Sequence, residues 1–281
     1  MHLHTDHTFR IGTHHQHQGL PCQDYARSGA LETGGSYAIV SDGCSSGGNT
    51  DIGARLITLS MEQALRDGFG GSLELITQRM HGYLGATQRL LAVEDRDLLA
   101  TLLTAVVHPS GVACVSLLGD GVIAYADDDV GDIFALKVEW ADNMPFYPAY
   151  HGTLRDQFCA HHRENAAAVT VEEWRITPTP YQYKNRTRTY SAFSGMNGIV
   201  WCHDATRGPE NDGHRSIGLF SDGVLQVDGY SWQEVVGALM TFKQARGSFA
   251  TRRMNRFLLD AKKRGTGPFD DIAMAVIHLE E

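Results

Sequence analysis

Two hydrophobic periods run through this chain: short apolar runs rich in β-branched residues, and longer stretches whose apolar positions recur every three or four residues. They separate strands from helices. Residues 36–41, SYAIVS, suit a strand buried on both faces. After a Gly-rich loop at 43–50, Ile52, Leu56 and Leu59 give helical spacing that ends near Gly68. Ser72 can cap a second helix carrying Leu73, Ile76, Met80, Leu84, Thr87 and Leu91. The period then changes. Residues 101–108, 112–118, 122–126 and 133–139 are strand-like runs divided by Pro-Ser-Gly, Asp-Gly and Asp-Asp-Asp turns, which predicts a β-meander. Ser231 with Glu234 forms a capping box for a helix continued by Val235, Leu239 and Phe242. Another helix runs from about Ser248 to Lys262, Lys263 and Arg264, where positive charge complements the helix dipole and Gly265 stops the helix. Residues 272–278 close the chain as a strand. Residues 141–188 hold Pro145, Pro148, Pro178 and Pro180 among many aromatics and read as a flap or insertion.

Strands in sets and helices in pairs favour a sheet-on-sheet core flanked by helices over alternating βαβ units. At 281 residues and 42% hydrophobic content, with no linker-like stretch, a single domain spanning residues 1–281 is expected. The formal charge of −9 opposes nucleic acid or anionic membrane as a partner, while leaving room for a local basic patch. No apolar run approaches the roughly 18 residues that span a bilayer, and the His-rich start lacks a signal-peptide core. A soluble, cytoplasmic monomer is the expectation. Five cysteines with no C-x-x-C spacing argue against a disulfide framework or zinc knuckle, and mostly buried free thiols are expected. None has Arg six residues on, which excludes the cysteine-dependent phosphatase loop.

Candidate chemistry lies in the acids. Apolar runs end in a small residue and Asp-Gly three times, at AIVSDG (38–43), SLLGDG (116–121) and GLFSDG (218–223), and PFDDIAMAVI (268–277) places two carboxylates before a run. One Asp-Gly after a strand is an ordinary turn. Several carboxylates converging without a cation would raise one another's pKa values, so their convergence implies protonation or a hard divalent metal such as Mg²⁺ or Mn²⁺.

The ordered set GLPCQDYA (19–26), SYAIVSDG, LATLLTAVV (99–107), LLGDG, LFSDGV and FDDIAMAV resembles the PPM-type (type 2C) Ser/Thr protein phosphatases, most of all their compact bacterial branch. The resemblance covers about residues 12–277 and is weak near 141–188. It implies an α/β (α+β) fold, a four-layer αββα sandwich of two antiparallel sheets flanked by helix pairs. It further implies that Asp42 bridges two Mn²⁺ or Mg²⁺ ions with the Gly43 carbonyl on one of them, and that Asp222 and Asp270 ligate the other. Asp24 would bind metal-held water with Gln23 beside it, Asp120 would help hold a third, weaker ion, and Asp271 would stand behind the ligands. Asp24 and Asp42 are thus the implied catalytic residues, and solvent activated by two metals would hydrolyse phosphoserine or phosphothreonine without a covalent phosphoenzyme. The implied partners are a phosphoprotein substrate and a cognate Ser/Thr kinase.

The match breaks in two places. Cys44 stands where several eukaryotic relatives carry a His proposed as general acid, and it reads as a loop filler. Gly19 stands nearest to the position of a phosphate-gripping Arg; neither Arg10 nor the His14-His15-x-His17 cluster can be assigned that role, so the substrate-binding residues are unknown. A catalytically impaired phosphatase-like protein that binds phosphoproteins or a kinase is therefore the alternative. A second rival, an amidohydrolase or PHP-like metal hydrolase, draws on the H-x-H of MHLHTDHT, but His2 has only Met1 before it and a frayed strand is expected. Asp127-Asp128-Asp129 reads as a solvated turn, because Val130-Gly131 does not continue the haloacid-dehalogenase loop.

Overall fold

A computed structural model describes residues 2–68, 72–126, 131–163, 165–177, 182–196, 198–204 and 215–280. Strand β1 (His2–Arg10) and helix α1 (Thr13–Gln18) precede the hairpin β2 (Tyr25–Ala30) and β3 (Ser36–Ser41). Helices α2 (Thr50–Gly68) and α3 (Leu73–Leu91) follow, then the meander β4 (Leu102–Val107), β5 (Val112–Leu118), β6 (Gly121–Ala126) and β7 (Ile133–Trp140). Beyond α4 (Arg155–His162) come β8 (Val169–Ile176), β9 (Gln182–Tyr190), α5 (Ala192–Gly195), β10 (Ile199–Asp204) and β11 (Ser216–Phe220). The chain ends with α6 (Trp232–Met240), α7 (Phe249–Lys263) and β12 (Ile272–Glu280).

The described strands form two antiparallel sheets, one ordered β1-β12-β11-β6-β7-β8-β9 and the other β10-β5-β4-β3-β2. Alternation along each strand sends residues to two different cores. In β3, Val40 joins Leu103, Val115, Ile123, Leu219 and Ala275 between the sheets, while Ile39 joins Ile57, Leu65 and Met80 under α2 and α3. In β11, Leu219 faces the inter-sheet core and Phe220 packs with Val235, Leu239 and Met254 under α6 and α7. The sandwich with a helix pair on each outer face is the architecture that the resemblance implied. Ser72 caps α3 through the Leu75 N–H, and the Ser231–Glu234 capping box opens α6.

Three expectations need correction. Much of the segment read as a flap is sheet: β8 pairs with β7 and β9 with β8. Buried Val169 and Val171 alternate there with half-buried Thr170 and Glu172, a period masked in sequence by the surrounding prolines and aromatics. Edge strand β9 carries Lys184 and Arg188, which pair across to Glu172 at 3.2 Å and Glu173 at 2.8 Å and give this sheet edge the charge that discourages further strand addition.

The N-terminal strand is not frayed. All nine residues of β1 pair with β12, and His4 Nε2 lies 2.7 Å from Glu280 Oε2. Cysteine pairing also departs from expectation. Cys114 of β5 and Cys202 of β10 face each other in register and form a disulfide, with 4.2 Å between their Cα atoms. Eighty-eight residues separate them, so sheet register makes the pair and no local spacing could reveal it. The remaining thiols are not buried: Cys22 and Cys44 are half-buried and Cys159 is exposed. No described helix is long and apolar enough to cross a membrane. Asp127-Asp128-Asp129 lies outside the described residues.

Candidate metal and catalytic site

Antiparallel pairing brings distant acids to one edge of the sandwich. Tyr25 pairs with Ser41, which places Asp24, just before β2, beside Asp42, just after β3. Phe220 pairs with Met274 and with Val122, which sets Asp222 beside the start of β12, with Asp270 and Asp271, and beside the start of β6. Asp120 occupies the turn where the chain leaves β5 in one sheet and enters β6 in the other. Trp140 Nε1 donates to the Gly119 carbonyl at 2.7 Å and fixes that turn.

The small residues before the Asp-Gly pairs have structural work. Ser221 Oγ donates to Asp24 Oδ2 at 2.6 Å and accepts from the Ala273 N–H at 2.9 Å. Ser41 Oγ donates to the Thr101 carbonyl at 2.6 Å, and Thr101 Oγ1 accepts from the Asp42 N–H at 3.0 Å. Glycine follows Asp222 for a steric reason. A Cβ on Gly223 would sit 1.8 Å from the Asp271 carbonyl oxygen, so a larger residue would push the two acidic segments apart. Gly121 has φ +133°, a backbone conformation that L side chains rarely adopt.

Asp24 and Asp271 are buried, whereas Asp42, Asp120, Asp222 and Asp270 are half-buried at the mouth. Burial, and then mutual repulsion, pushes the Asp42 carboxyl well up, with Asp24, Asp222 and Asp120 as the repelling charges. Asp120 is pushed up by burial, then by Asp222 and Glu139. Asp222 is raised by burial and by Asp270, against a bond with Asp42. Burial raises Asp24 against its Ser221 bond, with Asp271 and Asp222 adding to the rise, and Asp24 Oδ1 has no hydrogen-bond partner. A buried carboxylate oxygen without a donor, within a group of four carboxyls, Asp24, Asp42, Asp120 and Asp222, that resist ionisation, fits an oxygen-rich site for a hard divalent cation.

Asp271 faces inward to protein donors. It accepts from the Gly12 N–H at 2.7 Å, the Gln23 N–H at 2.6 Å and His15 Nδ1 at 2.9 Å, all buried. One donor atom each from His15, Asp270 and Asp271 lies within 4.8 Å of the others, an acidic group able to hold a metal ion. Gln23 Oε1 accepts from Ser45 Oγ at 3.0 Å, and the Gly43 N–H bonds the Gln23 carbonyl at 3.2 Å, which ties the loop after β3 to the segment before β2. Arg10 is engaged elsewhere, with Thr8, the Phe9 carbonyl and Asn255.

Sequence reasoning missed Glu139 and Tyr147. Glu139, next to last in β7, lines a cavity of about 390 Å³ that Asp120 and Asp222 also line. Tyr147 is buried, and its phenol is pushed far up by that burial, then by Cys44, Asp120 and Asp42 around it. It comes from the segment without a readable period, so no sequence signal pointed to it.

Comparison with known proteins follows the same lines. Residues 11–259 match the family model described as Protein phosphatase 2C. A search of curated protein sequences finds no match. Among solved structures, the S. agalactiae serine/threonine phosphatase is similar at TM-score 0.55 and 13% identity, over 99% of this chain and 100% of that one. Stp1 from Staphylococcus aureus is similar at TM-score 0.54 and 9% identity, over 100% of this chain and 96% of that one. The PP2C phosphatase domain with a regulatory fragment of SpoIIE from Bacillus subtilis gives 0.54 and 11%, over 99% of this chain and 62% of that one. At such identities the structural likeness speaks to the fold alone. The family match spans most of the sequence, and the chain belongs to the protein phosphatase 2C family.

Proposed function

We propose that this protein is a metal-dependent phosphatase that hydrolyses phosphoserine and phosphothreonine in proteins. The observation that carries the reading is the meeting of Asp24, Asp42, Asp120, Asp222 and Asp270 at one sandwich edge, with four of these carboxyls pushed above their ordinary range. Asp42 and the Gly43 carbonyl, with Asp222 and Asp270, would hold two Mn²⁺ or Mg²⁺ ions, and Asp120 would help hold a third. Lewis acidity that activates solvent and offsets phosphoryl charge comes from those cations when bound.

The chain's own residues do the positioning. Asp24, fixed at Oδ2 by Ser221 and left without a partner at Oδ1, can take a proton from attacking water once it is ionised. Asp271 holds Gly12, Gln23 and His15 in place, so Asp270 is presented from a rigid backbone. Tyr147 keeps its proton at neutral pH and walls the site beside Cys44. A phosphoprotein substrate and an opposing Ser/Thr kinase follow from this activity.

Hydrolysis of p-nitrophenyl phosphate and of phosphoserine and phosphothreonine peptides, with and without Mn²⁺, tests the reading. Activity in the wild type that Asp42→Ala and Asp222→Ala abolish supports it. No Mn²⁺-dependent hydrolysis by the wild type, or equal activity in all three proteins, overturns it.

A further inference from the structure

Between Lys243 and Arg264 the chain carries eight Lys and Arg and one acid, Asp260, a surplus of seven positive charges in a protein whose net charge is −9. A third of all its cations thus fall in 22 residues. Folding gathers several of them around a cavity of about 660 Å³ between the end of α6 and α7, lined among others by Phe242, Lys243, Arg252, Arg253 and Arg256.

We infer that this cavity is a docking site for an acidic segment of a protein partner. Three observations carry the inference. Lys243 is exposed and has no hydrogen-bond or ion-pair partner among the described residues. Arg252 spends one nitrogen on the carbonyls of Gln244 and Arg246, which holds its guanidinium in place before any ligand arrives. Arg253 is half-buried, bonds the Ala238 carbonyl and has no carboxylate in hydrogen-bond contact among the described residues. Burial lowers its pKa despite the nearby Asp260 charge, so an incoming carboxylate would offset a charge that the protein compensates only in part. Asp260, bonded to Arg256 at 2.8 Å, is the one internal anion at the rim.

Shape and charge select the occupant. Guanidinium groups match carboxylates two bonds at a time. Phe242 and Phe249, 5.0 Å apart, put an aromatic wall among the cations, which suits a peptide whose acids are interspersed with apolar side chains. A nucleic acid needs a basic track along its backbone, and the rest of this surface is net negative. The cavity is separate from the carboxylate centre. The Thr251 N–H bonds Asp6, which pairs with Val276, five strand residues beyond Asp271 and about 17 Å along β12. A protein could therefore engage both places at once, and the site requires no hydrolysis at the other.

Fluorescence polarisation with a labelled oligoglutamate peptide tests this on the full chain. Wild-type binding should weaken about tenfold or more in Lys243→Glu/Arg256→Glu. Those side chains hold no backbone group, and unchanged thermal unfolding confirms that the variant folds. Lys262→Glu/Arg89→Glu makes the same charge change at exposed positions outside the cavity and should cost less than about threefold. The inference is overturned by absence of wild-type binding, by equal loss in both variants, or by tighter binding of a single-stranded DNA oligonucleotide or of phosphatidylserine vesicles with the same dependence on Lys243 and Arg256.

Discussion

Ser221 Oγ donates to the buried Asp24 carboxylate, 2.6 Å from its Oδ2. The same hydroxyl accepts from the Ala273 N–H, so one side chain serves both a site acid and the β11–β12 junction. Ser221→Ala strands both groups and is expected to cost about 2–3 kcal/mol. Urea unfolding would measure this, and adding Asp24→Asn should give less than the sum of the two single effects.

The site acids make stability depend on cations and pH. Folded pKa values raised above the ordinary 3.8 mean that the folded chain holds protons the unfolded chain releases. Their contribution is favourable at low pH and is lost as pH rises through the folded values. Cation-free protein should therefore melt at lower temperature at pH 7 than at pH 5 on account of these groups, and Mn²⁺ should raise the melting temperature more at pH 7. Asp42→Asn should stabilise the cation-free protein by about 1 kcal/mol or more while losing most of the Mn²⁺ effect. Differential scanning fluorimetry with and without chelator checks both.

Glu62 gives an opposite pH signature away from the site. Burial opposes its ionisation, but Arg27, Tyr37 and Arg66 donate to it and bring its pKa down to about 2 from 4.5. The depressed value means that the network stabilises the fold fully above the unfolded value and loses that contribution as pH falls from 4.5 toward 2. Glu62→Gln should cost on the order of 2–3 kcal/mol at pH 7 and much less at pH 3, read by guanidinium unfolding at both.

Cys202→Ser tests the cross-strand link. Closing an 88-residue separation restrains the unfolded chain, and losing the link should cost about 2–4 kcal/mol. Under excess dithiothreitol, wild type and variant should unfold together.

What the sequence makes legible follows from how local each signal is. Ser72, Ser231 with Glu234, and the strand runs from 102 to 140 act within a few residues, and the elements stand where the pattern puts them. The Asp-Gly pairs were readable for a subtler reason: Gly223 is forced by the Asp271 backbone, so a long-range contact leaves a local mark. Asp271 was readable as a supporting residue only through family resemblance; its inward bonds come from Gly12 and His15 at α1 and from Gln23 before β2. The Cys114–Cys202 pair, Tyr147 and the sheet character of β8 and β9 depend on register and on partners far along the chain, which composition and period do not encode.

Because the acids occupy β-strand ends at a single edge, the hairpin connections at 31–35 and 108–111 hang from the opposite one. Antiparallel geometry thereby separates the rim that carries the acids from the rim that carries these turns. A reporter or tether spliced into either of those two turns would ride on the protein at strand-length distance from its chemistry, leaving the acidic rim as it was.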